Sequence, residues 1–73
     1  MKNLELKNIL ITFISDNEDI IRSLENDLEF LMEQKDDEVD KEGISEQINN
    51  QIDFRSDLIR DAKFILKDIS KED

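Results

Sequence analysis

Residues 8–19 read Asn8-Ile9-Leu10-Ile11-Thr12-Phe13-Ile14-Ser15-Asp16-Asn17-Glu18-Asp19, and the fold turns on whether this run is strand or helix. Its first seven residues are rich in β-branched and aromatic side chains, which suits a buried strand. Ser15 followed by Glu18 then makes a capping box, with Asp16, Glu18 and Asp19 in the first turn of a helix starting there. That parse gives strand, helix, helix. The alternative is a helix running through the whole stretch, because Leu6, Leu10, Phe13, Asn17, Ile20, Leu24, Leu28 and Leu31 recur at steps of three and four. A third version breaks this helix near Ser15–Asn17 and yields three helices.

The second half of the chain favours the helix. Ile44, Ile48, Ile52, Leu58, Ile59, Ala62, Ile65, Leu66 and Ile69 keep helical spacing with no proline or glycine among them, and Lys67 and Lys71 suit the C-terminal dipole. A helix over about 44–71 needs an apolar partner along its whole length, and a strand ending at Ile14 leaves Ile65, Leu66 and Ile69 uncovered. A first helix over about 4–35 supplies that partner. Gly43, the only glycine, follows the charged run from Asp36 to Glu42, which places the chain reversal at about 36–43. Folding about residue 40 sets Leu31 beside Ile48, Leu28 beside Ile52, Ile21 beside Ile59, Phe13 and Ile14 beside Leu66, and Leu10 beside Ile69. In that register Asn17 faces Ala62, and Arg55 reaches Glu25 or Glu29. These two polar residues sit in the apolar seams, where their expected role is to specify register and partner number, the alternative being a contact reserved for an outside partner.

The expected architecture is therefore all-α: a single domain, 1–73, folded as an antiparallel helical hairpin. Ile14, Ile21 and Leu28 repeat every seven residues beside the first seam, and Ile52, Ile59 and Leu66 do so beside the second. Two helices cannot cover both extra stripes. Pairing two hairpins into a four-helix bundle buries them, so a homodimer is the leading expectation, with a bundle completed by another protein fitting the same faces.

Composition limits the chemistry. The 73 residues include 20 acidic and 10 basic side chains, for a net charge of −10, and no His, Cys, Tyr or Trp. That removes the usual neutral-pH general base, thiolate and imidazole ligands, and any disulfide. A chain this short cannot build a sizeable core and also enclose a substrate pocket, so no enzyme, catalytic residue or cofactor is expected. Leu, Ile, Val and Phe make up 24 of the 73 residues, above the ~20% level at which highly charged chains fail to collapse, so the chain is read as folded. No run approaches the ~18 apolar residues of a membrane span, and the N-terminus lacks the pattern of a signal peptide, so a cytoplasmic protein is expected.

Three motifs receive bland readings. The segment from Asp36 to Gly43 resembles a calcium loop only superficially: counting from Glu38 puts Asn49 where the bidentate Glu belongs, and counting from Asp36 puts Lys41 at the glycine position. Carboxylate-bridged metal pairs in helical bundles use a Glu-x-x-His motif, and there is no histidine, so no metal site is expected. Ser15, Ser23, Ser45, Ser56 and Ser70 have no base to activate them and read as caps or helix-surface residues.

Charge carries more function. Residues 16–53 have a net charge of −11, residues 54–73 are neutral, and residues 1–15 carry +1. In the hairpin this makes an acidic pole at the turn end, with Asp27, Glu33, Asp36, Asp37, Glu38, Asp40, Glu42 and Glu46 as its residues. Such a pole repels nucleic acid and anionic membranes and complements a basic protein surface. Phe30, Phe54 and Phe64 fall off the main seams and are candidate partner-binding residues. The expected function is a non-enzymatic interaction module, a regulator, inhibitor or adaptor that binds a protein through an apolar helix face. Two alternatives are an acidic mimic of nucleic acid that blocks a DNA- or RNA-binding protein, and a homo-oligomeric structural element.

Overall fold

A computed structural model describes residues 2–35 and 40–72, and among them the chain forms two helices and no strand. Helix α1 spans Lys2–Glu33 and helix α2 spans Lys41–Glu72, each of 32 residues. They pack against each other along their length as an antiparallel hairpin of 56 × 14 × 12 Å. Its radius of gyration is 16.8 Å, against about 11 Å for a compact domain of this length.

The strand reading and the broken-helix reading both give way to one uninterrupted α1. β-propensity in residues 9–14 is overridden because helical spacing delivers Leu10 and Ile14 to α2. Ser15 lies inside this helix and caps no new one, and Asn17 continues it. The Asn17 Nδ2 donates back to the Phe13 carbonyl at 2.8 Å, a local bond that a helix interior accommodates.

The turn is shorter than expected and the second helix begins earlier. Asp40 caps α2: its Oδ1 accepts the Gly43 N–H at 3.0 Å, and its carbonyl accepts the Ile44 N–H at 3.1 Å. Glu42 lies in the first turn, where its charge suits the dipole. Gly43 therefore belongs to the helix rather than to the reversal, and it has no positive φ. A Cβ at this position would run into the Asp40 carboxylate, so the bare backbone leaves room for the cap. At the other side of the turn, α1 ends with no basic residue in its last turn. A tightened bond from Gln34 N to Leu31 O at 3.1 Å takes up one terminal carbonyl. Asp40→Ala should lower stability by about 1 kcal/mol, read as a fall of roughly 4–8 °C in the thermal midpoint by circular dichroism; an unchanged midpoint would contradict the cap.

The shielded residues of α1 are Asn3, Lys7, Leu10, Ile14, Asn17, Ile21, Leu24, Leu28 and Leu31, at strictly alternating steps of four and three. In α2 the same alternation runs through Lys41, Ser45, Ile48, Ile52, Arg55, Ile59, Ala62, Leu66 and Ile69. This is the 3.5-residue repeat of left-handed coiled packing. It corrects the expected seam. Ile14, Ile21 and Leu28, with Ile52, Ile59 and Leu66, are the seam itself, whereas Leu6, Phe13 and Ile20 are exposed beside it. The cross-helix register also moves by seven residues, about two turns, since Asn17 meets Arg55 in place of Ala62. Ile14 packs with Ile59 and Ala62, and Leu10, Ile21 and Leu66 join around them. Centring the reversal near residue 37 instead of 40 moves each partner by about six residues and so produces this shift, and a shift of one heptad keeps the same helix faces together. The core is thin: among the described residues the buried apolar ones are Ile14, Leu31, Ile59 and Ala62, and no large side chain is completely enclosed.

Candidate interaction surface

Heptad geometry gives the hairpin two flanks, one on either side of the seam. On the first, the heptad position before Lys7, Ile14, Ile21 and Leu28 carries Leu6, Phe13, Ile20 and Asp27 in α1, and the position before Ser45, Ile52, Ile59 and Leu66 carries Ile44, Gln51, Leu58 and Ile65 in α2. Ile9, Leu10 and Phe13 meet Leu58, Asp61, Ala62 and Ile65 along a shared groove of about 290 Å³. Its floor is Leu10 and Ala62 from the seam, and its walls are the exposed Ile9, Phe13 and Ile65 with the half-buried Leu58 and, at one edge, Asp61. On the second flank the corresponding groove, about 380 Å³, is lined by Glu18, Ile21, Arg22, Glu25, Ser56 and Ile59. Polar side chains form its walls. Leu4, Ile11 and Met32 extend this flank of α1 as exposed apolar residues, but α2 answers them with Asn49, Ser56, Lys63 and Ser70. One flank is thus apolar on both helices and the other is not.

The groove residues Ile9, Phe13, Leu58 and Ile65 were not among the candidate binding residues read from sequence. The signal was present as two apolar stripes per helix, one more than a hairpin consumes. Phe30, Phe54 and Phe64 stand out in solvent, the first and last 67% exposed. Helical spacing puts Phe30 and Phe54 on the outer edge of the apolar flank, about 4 Å and 20 Å from the turn end of their helices at 1.5 Å per residue. Phe64 lies on the back of α2, opposite the seam. The three do not form one patch.

The two polar seam residues meet. Arg55 Nη1 donates to Asn17 Oδ1 at 2.9 Å, so Arg55 turns to Asn17 and not to Glu25 or Glu29, a consequence of α1 ending at Glu33 and α2 starting at Lys41, which centres the reversal near residue 37. Asn17 is 5% exposed and has both side-chain ends engaged. Arg55 is half-buried, and its Nε is buried without an acceptor. The remaining arginine pairs are local and exposed: Arg22 with Asp19 and Arg60 with Asp57, both at 3.3 Å, and Arg60 with Asp61 at 3.9 Å. Such pairs add little to stability.

Of the acidic pole, Asp27, Glu33, Asp40, Glu42 and Glu46 are exposed, and Asp36, Asp37 and Glu38 lie outside the described residues. Among the described residues no cluster of carboxylates could hold a metal ion, and no helix is long and apolar enough to cross a membrane. Comparison with protein-family models, with curated proteins and with solved structures gives no match to this chain.

Proposed function

We propose that the protein is a non-enzymatic interaction module, a small acidic helical regulator, inhibitor or adaptor that binds another protein chain by laying its apolar flank against it. The observation that carries this reading is the contrast between the two grooves, one walled by Ile9, Phe13, Leu58 and Ile65 and the other by Glu18, Arg22, Glu25 and Ser56. Complete burial of one such apolar side chain is worth about 1.5–3 kcal/mol, so a helix docked on four of them has ample driving force. A second reading, the nucleic-acid mimic, draws support from charge: residues 18–56, the turn-end half, carry −9, whereas residues 2–17 and 57–72 are each neutral.

One experiment separates these readings. Immobilised protein is assayed for bound partners at about 50 and 300 mM salt, comparing wild type with Phe13→Ser/Ile65→Ser and with Phe64→Ser; the Debye length falls from ~14 to ~6 Å over this range, which weakens exposed charge strongly and apolar contact hardly at all. Docking on the flank predicts binding that survives the higher salt, is lost in the double variant and is kept in Phe64→Ser. Binding abolished by salt but indifferent to the double variant would transfer the function to the acidic end.

A further inference from the structure

We propose that the occupant of the apolar flank is a second copy of this chain, lying antiparallel to the first, so that two hairpins close a four-helix bundle with an acidic end at each extremity. This rests on the reading of the flank as a docking surface and names its partner. The first support is area. The chain exposes 5905 Å², while a compact monomer of 8.6 kDa exposes about 4,700 Å². The excess of about 1,200 Å² exceeds the ~800 Å² that each partner contributes to a standard interface. An isolated hairpin leaves this much uncovered because two helices alone cannot enclose a core.

The second support is the distribution of the apolar flank along the axis. At 1.5 Å per residue, Phe30 and Ile44 lie about 4 Å from the turn end of their helices, Ile20 and Phe54 about 20 Å, Leu58 and Phe13 about 26–30 Å, Ile9 and Ile65 about 36 Å and Leu6 about 40 Å, with Asp27 at about 9 Å and Gln51 at about 15 Å interrupting the row. Turning a second copy end for end about an axis near mid-length brings Leu6 of one copy level with Phe30 and Ile44 of the other. The same operation sets Ile20 and Phe54 level with Leu58. A two-fold axis makes each contact occur twice.

Charge selects this orientation over the parallel one. Parallel pairing places two turn-end halves of −9 each at the roughly 10 Å spacing of packed helices. Antiparallel pairing sets each acidic half against a neutral one that carries Lys7, Arg60, Lys63, Lys67 and Lys71. The centres of the acidic halves are then separated by about half of the 56 Å hairpin, well beyond the ~8 Å Debye length at physiological salt.

The test uses the full chain, whose lack of cysteine makes introduced thiols unambiguous. Light scattering on eluting protein should give about twice the 8.6 kDa chain mass. Phe13→Ser/Ile65→Ser should raise the dissociation constant at least ~100-fold, at tenfold per ~1.4 kcal/mol, and Phe64→Ser should leave it unchanged. Orientation is read in otherwise native protein: Leu6→Cys mixed with Ile44→Cys should form an interchain disulfide in several-fold higher yield than either alone. Efficient cross-linking of Leu6→Cys with itself would overturn the antiparallel arrangement, even if the double serine variant failed to fold. A monomer at all concentrations would overturn self-pairing. If that monomer still captured another protein through Phe13 and Ile65, only the choice of occupant would have failed; if capture were also indifferent to them, the docking surface itself would be wrong.

Discussion

Replacing both Asn17 and Arg55 with leucine should raise the stability of the hairpin by about 1–4 kcal/mol, the range seen when buried ionic groups give way to packed apolar ones. Asn17→Leu alone should instead melt below the double variant and near or below wild type, because it deletes the acceptor of the 2.9 Å bond and leaves the guanidinium facing an apolar seam with Nε already unpartnered. An orphaned charged donor of this kind costs about 1–3 kcal/mol. Arg55 is only half-buried, so the lower part of that range applies. The coupling between the two sites, obtained from thermal melts of the four proteins in a double-mutant cycle, should be at least ~1 kcal/mol. Additive effects would show that the bond contributes nothing.

The stabler double variant should also be the less unique protein. With leucine at both positions, every seam residue from Leu10 to Leu31 is apolar, and the helices can slide by one turn without exposing a polar group. In the native chain such a slip separates Asn17 from Arg55 and strands both. Amide spectra of the double variant should therefore show more resonances than the sequence has residues. A single sharp set would assign register entirely to the turn and its Asp40 cap.

The hairpin was legible because its two halves keep helical spacing and because only a helix of matching length can cover Ile65, Leu66 and Ile69. Its phase was not. In α1 the stripes Leu6–Phe13–Ile20 and Ile14–Ile21–Leu28 share the neighbours Leu10, Leu24 and Leu31, and periodicity alone ranks them equally. Packing chooses between them: isoleucine fits beside Ile59 and the small Ala62, at 4% exposed the most enclosed of the buried apolar residues, whereas Phe13 is displaced to the flank. The turn was misplaced for a local reason. Gly43 punctuates a charged run and reads as a reversal, but the carboxylate of Asp40 captures its N–H and starts the helix three residues sooner than Ile44. Both errors bear on the candidate site, since the phase decides which aromatic residue reaches solvent and the turn decides which residue Arg55 meets. The acidic end was visible in composition, and its charge follows from sequence alone.

Ile59→Ala should remove about 2–3 kcal/mol, the lower part of the range for such truncations, because a cavity at the surface of a two-helix seam can partly collapse or hydrate. The hairpin can spare little. A chain of 73 residues has a total stability of about 4–11 kcal/mol at 0.05–0.15 kcal/mol per residue, and Ile59 is one of the three residues of the buried cluster, with Ile14 and Ala62, against which the half-buried Leu10, Ile21 and Leu66 pack. Phe64→Ala deletes a larger side chain, yet it should change stability by less than ~0.5 kcal/mol, since that ring is two-thirds exposed. The contrast is measurable as urea midpoints of the two variants in one buffer. It also separates hairpin from bundle: if copies pair through the apolar flank, the midpoint of Ile59→Ala should rise with protein concentration, because association stabilises the folded state by mass action. Equal losses for Ile59→Ala and Phe64→Ala would mean that the seam is not the stabilising core, and a midpoint of Ile59→Ala independent of concentration would leave the hairpin to stand on the Ile14–Ile59–Ala62 contact by itself.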